Sequence, residues 1–332
     1  MYLQTLSEGS VAHVCSGAEP SGGVSSRITC LRGQSIIECV LIIAVIGLVI
    51  VFAGPGVAGA IRNQFSQIAN TVDSGTGGDS FMSAEEKAYR EAMKTVAQKE
   101  AKDWTLDEQK AVATDIAKNG TSSVVYAKAK SAMNAGTKWS VMLTNGETME
   151  YKIIGINPDN LADGSGKAGL TFEATNQAMG KQRMNSANTN VGGWGKSELR
   201  SRLNSGDLWS LLPGELRSKA KAVTKMTDNK RDGSAGTPSA TTDKVFLLSM
   251  AEVYGNLKSY DTRFGAHDGT QYEYHASRGV ALSIPGENSP DFYRWTRSVI
   301  PPTEGFMVVY TNGTNNGGYP ADAFSVLPAW CF

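Results

Sequence analysis

An uninterrupted apolar run from Cys39 to Ala53 is the feature that most constrains this chain. No polar side chain interrupts it, and a weakly polar stretch rich in glycine and alanine carries it on to Ile61. A helix needs about 20 predominantly apolar residues to cross the hydrocarbon core of a bilayer. The run is too long for the apolar region of a signal peptide. We therefore expect a membrane-spanning helix near the N-terminus.

A glycine and an acidic residue precede the apolar run at a distinctive spacing. Glu38 is the fifth residue after Gly33, and a carboxylate entering a membrane helix is costly without a partner. The segment 32–72 resembles type IV prepilins, especially the Flp pilins of tight-adherence systems. That resemblance implies cleavage by a prepilin peptidase after Gly33, so that the mature chain begins at Gln34. It also implies that Glu38 neutralises the amino terminus of a neighbouring subunit during assembly.

Two features of this segment depart from the Flp pilin pattern. The leader at residues 1–33 is longer than is usual in that family, and Cys39 stands where a tyrosine is common. The resemblance nevertheless implies a pilin helix at 34–72, anchored in the membrane of a bacterium. Its implied partners are the prepilin peptidase, the pilus assembly machinery and other pilins.

A polar, glycine-rich stretch at 73–82 predicts a flexible linker, and helical patterns follow at 83–136. Ser83 with Glu86, and Thr105 with Glu108, have the spacing of capping boxes. Gly120 is predicted to end the second helix. A third helix is predicted from Val124 to Asn134. This group of three helices is either an oligomerising stalk or a spacer that packs against the next domain.

The pattern changes at residue 138 to short alternating strands separated by turns. Asn145-Gly146 stands between two such strands and predicts a hairpin. An amphipathic stretch at 196–203 and the segment 211–216 follow, and strands resume at 245–249 and 305–310. We therefore expect an α+β domain of mixed short strands and helices at 138–332.

Several segments of this domain resemble an uncharacterised domain that is common in surface and secreted proteins of Gram-positive bacteria. That domain is similar to the C-type-lectin-like fold of formylglycine-generating enzymes. In such folds the Trp-x-Arg-Ser strand is mainly structural, which implies that Trp295 and Arg297 belong to the core. The matching segments are 151–156, 194–200, 223–225, 246–249, 295–298 and 326–332.

Composition and motifs give little support to catalysis, metal binding or nucleic-acid binding. The chain has 32 basic and 32 acidic residues and no basic stripe interleaved with aromatics, so we expect no nucleic-acid partner. Asp159 and Asp163 lie in a stretch that lacks the ligands of a calcium loop, and we interpret it as a hydrophilic turn. His267 and His275 have no third ligand at a zinc spacing. We predict no catalytic residue, no metal and no cofactor.

The cysteines do not indicate a disulfide framework. Cys15, Cys30, Cys39 and Cys331 lack such a spacing. Removal of the leader would leave Cys39 and Cys331, one in the apolar helix and one beside the C-terminus. The domain must then be held together by its core.

The stretch 311–322 is the most informative polar segment. It combines asparagine, glycine and tyrosine between two strands, which is the composition of adaptable recognition loops. It resembles the variable segment of retroelement-diversified lectin-like proteins; a solvated turn is the alternative. The predicted ligand-binding residues are Tyr310, Asn312, Asn315, Asn316, Tyr319 and Asp322.

Together these features predict a pilin-like protein on a bacterial, Gram-positive cell surface that displays a lectin-like binding domain as an adhesin. The expected ligand is an extracellular protein or glycan. A structural pilus subunit without a specific ligand is one alternative, and a membrane-tethered enzyme is another. Convergent titratable groups in a deep pocket would favour the enzyme, whereas a shallow face of tyrosine and asparagine would favour binding.

Overall fold

Three helices begin the part of the chain that the structure describes. The structure is a computed structural model, and it describes residues 84–229, 238–255, 268–278, 293–300, 305–310 and 314–332. Helix α1 spans Ala84–Gln98, α2 spans Leu106–Asn119 and α3 spans Tyr126–Ala135. Short 3-10 turns at Ala101–Asp103 and Gly120–Ser122 connect them.

None of the helices in these described residues is both long enough and apolar enough to cross a membrane. Helix α1 has 15 residues and carries several charges, whereas a span needs about 20 apolar residues. This finding corrects the predicted fold class, which included a transmembrane prepilin helix at 34–72. That segment, the leader at 1–33 and the linker at 73–82 lie outside the described residues. The described part has a mixed α+β fold.

Helix α2 begins and ends where its sequence predicts. The Thr105 hydroxyl accepts the Glu108 N–H, and the Glu108 carboxylate accepts the Thr105 N–H. This reciprocal pair is the predicted capping box. Gly120, with φ of 55°, ends the helix, and Gly136 ends α3 in the left-handed conformation. Ser83 of the other predicted box lies outside the described residues.

The first sheet has five strands in the order β1-β2-β3-β12-β7, all antiparallel. The β1–β2 hairpin turns at Asn145-Gly146, as predicted, and Gly146 adopts φ of 89°. The C-terminal strand β12 is inserted between β3 and β7, so it is an internal strand of the sheet and not an edge strand. The strands are β1 Lys138–Met142, β2 Thr148–Ile156, β3 Leu170–Ala174, β7 Val245–Phe246 and β12 Ala329–Cys331.

The second sheet also has five strands, in the order β10-β9-β8-β11-β4. Strands β8 and β11 are parallel, and the other neighbours are antiparallel. Its strands are β4 Lys181–Arg183, β8 Tyr293–Val299, β9 Phe306–Tyr310, β10 Asn315–Gly318 and β11 Ala323–Ser325. A separate antiparallel pair joins β5 Val223–Thr227 to β6 Ser239–Asp243.

Short helices fill the connections between the strands. Four of them follow one another between β4 and β5, and the described residues between β7 and β8 form two more. They are α4 Gly193–Lys196, α5 Glu198–Ser205, α6 Asp207–Leu211, α7 Gly214–Lys219, α8 Met250–Tyr254 and α9 Glu273–Ser277.

The three N-terminal helices share one hydrophobic core with the first sheet. The indoles of Trp104 and Trp139 stack with their centroids 6.4 Å apart, and the Trp139 Nε1–H donates to the Ala101 carbonyl at 2.9 Å. The Tyr151 hydroxyl on β2 donates to the Gln109 side chain on α2 at 3.1 Å. The predicted spacer at 83–136 is therefore packed directly against the domain predicted at 138–332.

Candidate functional site

The candidate site is an aromatic surface on the second sheet. Tyr293 on β8 and Tyr310 on β9 make an edge-to-face contact, with centroids 4.4 Å apart at 85°. Phe324 on β11 also contacts Tyr293 edge to face, with 6.1 Å between the ring centroids. All three rings are half-buried, so each one keeps part of its surface in solvent. We call Tyr293, Tyr310 and Phe324, together with Asn316 on β10 and the exposed Tyr319 that follows β10 in the chain, the aromatic face.

Strand register explains why these side chains meet. Tyr293 pairs with Tyr310, and Asn316 pairs with Val308, two residues before Tyr310. Side chains two residues apart on a strand share one face of the sheet. Asn316 therefore lies beside Tyr310, and its Nδ2–H donates to the Tyr310 hydroxyl at 2.9 Å.

A glycine lets β10 approach the rings beneath it. A Cβ on Gly318 would lie 2.7 Å from the Phe324 ring and 2.9 Å from the Trp295 ring. Trp295 itself is 2% exposed, and its Nε1–H donates to the Gln182 carbonyl at 2.7 Å. Phe324 of the aromatic face therefore packs against a buried, hydrogen-bonded indole, with a centroid distance of 4.7 Å between Trp295 and Phe324.

The structure brings together only some of the predicted ligand-binding residues. Tyr310 and Asn316 are in contact, and Tyr319, which is 65% exposed, follows β10 directly. Asp322 is exposed, and its N–H donates to the Tyr319 carbonyl in a tight turn. Asn315 pairs with Val309, which places its side chain on the opposite face of the sheet.

Asn312 lies outside the described residues, as do Gly33, Gln34 and Glu38, the residues assigned to processing and assembly. The ligand-binding and processing roles of all these residues stay predictions.

Arg297 is completely buried and hydrogen-bonded on several sides. Its Nη2 donates to Glu252 Oε1 at 2.9 Å and to the Asp268 carbonyl at 2.6 Å, and Nη1 pairs with Glu252 Oε2. Its Nε–H donates to the Thr227 hydroxyl at 2.9 Å. Although burial disfavours the charged guanidinium, Glu252 outweighs that effect and raises the pKa of Arg297. These contacts make Arg297 inaccessible to a ligand at the surface.

Lys225 lies next to Arg297 in a buried cluster of charges. Its Nζ is 2.7 Å from Asp159 Oδ1 and 2.5 Å from Glu252 Oε1, and it donates to the Tyr272 hydroxyl at 3.0 Å. Burial disfavours the charged forms, but the ion pairs dominate, so the pKa of Asp159 is lowered and that of Lys225 is raised. We call Asp159, Lys225, Glu252, Tyr272 and Arg297 the Lys225 cluster.

A second buried group of charges surrounds Glu173 on β3. Arg294 Nη1 donates to Glu173 Oε1 at 2.5 Å, and His275 Nε2 lies 3.2 Å from Glu173 Oε2. Burial opposes ionisation, but Arg294 and His275 outweigh it and lower the pKa of Glu173 to about 2. Burial lowers the pKa of His275, and Glu173 only partly opposes this shift.

These buried groups are held in internal pairs and are not presented to a substrate. His275, which the sequence places near Asp268 and Glu273, contacts Glu173 and Tyr274 instead. Across the described ranges, no set of three or more histidine, cysteine or acidic side chains is arranged to hold a metal ion. Cys331 is a buried free thiol, and burial raises its pKa well above the usual range.

Sequence reasoning missed both charge clusters. Asp159 was interpreted as part of a hydrophilic turn, yet it is 6% exposed. A signal was present in β5, where Lys225 stands between the inward-facing Val223 and Thr227 at strand spacing. A lysine in line with two buried neighbours predicts an internal acidic partner.

The fold and the site define an α+β domain with a rigid aromatic surface above an interior of paired charges. The chain belongs to the family described as Domain of unknown function (DUF6273), which matches residues 165–331, half of the chain. No curated protein and no solved structure matches the chain. The predicted likeness to the C-type-lectin-like fold therefore stays a prediction. Strands β1 and β2 precede the matched residues, although β2 pairs with β3 inside them.

Proposed function

We propose that this domain is a binding module that recognises a glycan outside the cell through its aromatic face. The observation that carries the proposal is the hydrogen bond between Asn316 and Tyr310 at the surface of the second sheet, together with the exposed Tyr319 three residues after Asn316 in the chain. Tyrosine rings pack against the C–H faces of sugars, while amide and carboxylate groups pair with sugar hydroxyls. The surface therefore combines apolar and polar contacts without any catalytic group.

The rigidity of the surface supports recognition. Tyr293 makes edge-to-face contacts with Tyr310 and Phe324, and buried Trp295 packs edge to face against Phe324. Side chains that are ordered before binding lose less conformational entropy when a ligand binds. A weak sugar ligand benefits from such an ordered surface.

The distribution of charge favours binding over catalysis. A general acid or base must reach a substrate, and the buried carboxylates of Asp159, Glu173 and Glu252 each face a fixed internal cation. The aromatic face consists of neutral side chains, and the exposed Asp322 lies two residues before Phe324 in the chain.

The test replaces Asn316, Tyr319 and Asp322 with serine in one variant and measures its binding to an array of immobilised bacterial and host oligosaccharides. We expect the parent protein to bind a subset of the array and the variant to lose that signal by at least about tenfold. Exposed substitutions usually cost under about 0.5 kcal/mol each, so the melting temperature should change little.

Val124→Ser is the matched control, because Val124 is 64% exposed and belongs to the N-terminal helical part rather than the second sheet. It should bind the array as the parent does. If the triple variant also binds like the parent, the aromatic face is not the glycan site. Binding of the parent to extracellular proteins alone would support a protein ligand instead.

A further inference from the structure

A groove runs along the outer edge of the first sheet, far in sequence from the residues of the aromatic face. It lies between β1, the turn that leads into α2, and the beginning of α7, and its volume is about 740 Å³. Trp104, Trp139, Val141 and Pro213 contribute apolar surface to its lining. We call it the β1 groove.

Strand β1 is an edge strand with one side open. Among the described strands it pairs with β2 alone. The Leu143 N–H donates across the hairpin to the Glu147 carbonyl, whereas the Thr144 N–H donates away from it, to the Leu211 carbonyl at 2.9 Å. Backbone groups two residues apart point to the same side of a strand. Ser140 and Met142 therefore direct their N–H and C=O groups to the open edge, toward the groove.

The side chains of β1 do not protect this edge from pairing. Natural edge strands are commonly guarded by charges, prolines or bulges. Met142, in contrast, is 69% exposed, although it is apolar. Lys138 is already engaged with Glu150 at 2.9 Å. The flexible methionine side chain leaves the open edge accessible to a partner strand.

The charges that line the groove leave one carboxylate in excess. Lys102 pairs with Asp103, and Lys138 pairs with Glu150. Glu215 is the remaining acid in the lining. The Lys219 Nζ lies 3.6 Å from Glu215 Oε1, but it lies closer to Asp107 Oδ1, at 2.8 Å. A basic group on an occupant would find an incompletely neutralised carboxylate at Glu215.

We propose that the β1 groove binds an extended peptide segment of another protein, which adds as a strand to β1. A peptide backbone supplies donors and acceptors at the spacing that Ser140 and Met142 present. Alternate side chains of the peptide would then face the groove, an apolar one against Met142 and a lysine or arginine near Glu215. This site is separate from the proposed glycan site.

The probe is a peptide of about five residues that alternates valine and lysine and is blocked at both ends. Its binding to the full chain is measured by titration calorimetry and compared with that of two N-methylated versions of the same peptide. One version is methylated at the alternate amides that would face β1, and the other is methylated at the remaining amides. N-methylation removes the donors without changing the side chains. We expect the methylation pattern that faces β1 to weaken binding at least about tenfold and the opposite pattern to leave it nearly unchanged. Equal binding by all three peptides would overturn strand addition.

Ser140→Pro tests the protein side of the same contact. Proline removes the N–H that faces the open edge and is tolerated on edge strands, whereas Ser140→Ala keeps the N–H. We expect Ser140→Pro to lose at least about tenfold in peptide affinity and Ser140→Ala to bind like the parent. Glu215→Lys, which leaves β1 unchanged, should weaken binding of the lysine-containing peptide independently.

Self-association is measured on the same samples by sedimentation. If the parent forms dimers that Ser140→Pro separates and the peptide does not bind, a second copy occupies the edge and the proposal is wrong. Unchanged peptide binding in both Ser140→Pro and Glu215→Lys would also contradict it.

Discussion

Lys225 brings a positive charge into the interior, where Asp159 and Glu252 surround it. Its Nζ also lies 4.3 Å from the centroid of the Phe246 ring. Taking such a charge out of water costs several kcal/mol, which the attraction between the cation and the two carboxylates offsets. Without the cation, the two buried carboxylates would have no such compensation. The cluster joins three segments of the chain. Lys225 lies on β5, Glu252 on α8 and Asp159 in the turn that follows β2.

Lys225→Met should be strongly destabilising. The methionine fills most of the volume but leaves Asp159 and Glu252 without their shared cation, and breaking a buried pair in this way costs about 3–5 kcal/mol. Lys94→Met is the control, because Lys94 pairs with Glu91 at the surface, where a pair contributes about 0–1 kcal/mol. Urea unfolding followed by circular dichroism measures both. Similar midpoints for the two variants would show that the buried pair contributes no more than the exposed one.

At the scale of elements, α2 packs against the beginning of β3 with almost no space between the backbones. Gly169 immediately precedes β3, and a Cβ at this position would clash with the carbonyl oxygen of Ala113 on α2. Backbone atoms cannot move aside as the end of a flexible side chain can. Glycine is therefore required at position 169 by the packing of a helix on a strand and not by its own backbone angles.

Gly169→Ala should lower the free energy of unfolding by about 1–3 kcal/mol, because the added methyl group forces α2 away from the sheet. Gly214→Ala is the matched control, since its nearest neighbour would be a side-chain nitrogen of Arg217 at 3.9 Å. The control should melt at or slightly above the parent temperature. Thermal unfolding of both variants checks the expectation, which fails if Gly169→Ala melts with the parent.

At the scale of the whole molecule, the helices and the first sheet are stabilised by contacts with each other. Val112 and Ile116 on α2 and Met133 on α3 are at most 1% exposed. Their burial belongs to the same core that contains Trp139 and Tyr151. Removing the helices would expose one side of this core to water.

A fragment of residues 138–332 should therefore be less stable than one of residues 84–332. Truncation removes the indole of Trp104 from Trp139 and leaves the Trp139 Nε1–H without the Ala101 carbonyl. Burying one large apolar side chain is worth about 1.5–3 kcal/mol, and several are uncovered here. Denaturant unfolding of both fragments is the measurement. Equal stability would show that the helices are an independent spacer.

Local sequence signals determined the elements whose causes are local. The capping box at Thr105 and Glu108, the glycine that ends α2 and the Asn145-Gly146 hairpin each depend on residues a few positions apart. The α+β class followed from the change from helical to alternating patterns near residue 138. Apolarity at 39–61 was the pattern that led to the transmembrane prediction, which the described helices correct.

Only the tertiary structure decided which distant residues meet. Glu173 pairs with Arg294 across 121 positions of sequence, and Tyr293 and Asn316 join the face of Tyr310 through strand pairing. The insertion of β12 between β3 and β7 and the open edge of β1 likewise depend on sheet order. Hydrophobic periodicity shows which side of a strand is buried, but it does not indicate which other strand pairs with that strand. Partners of that kind are selected by the packing of the whole core.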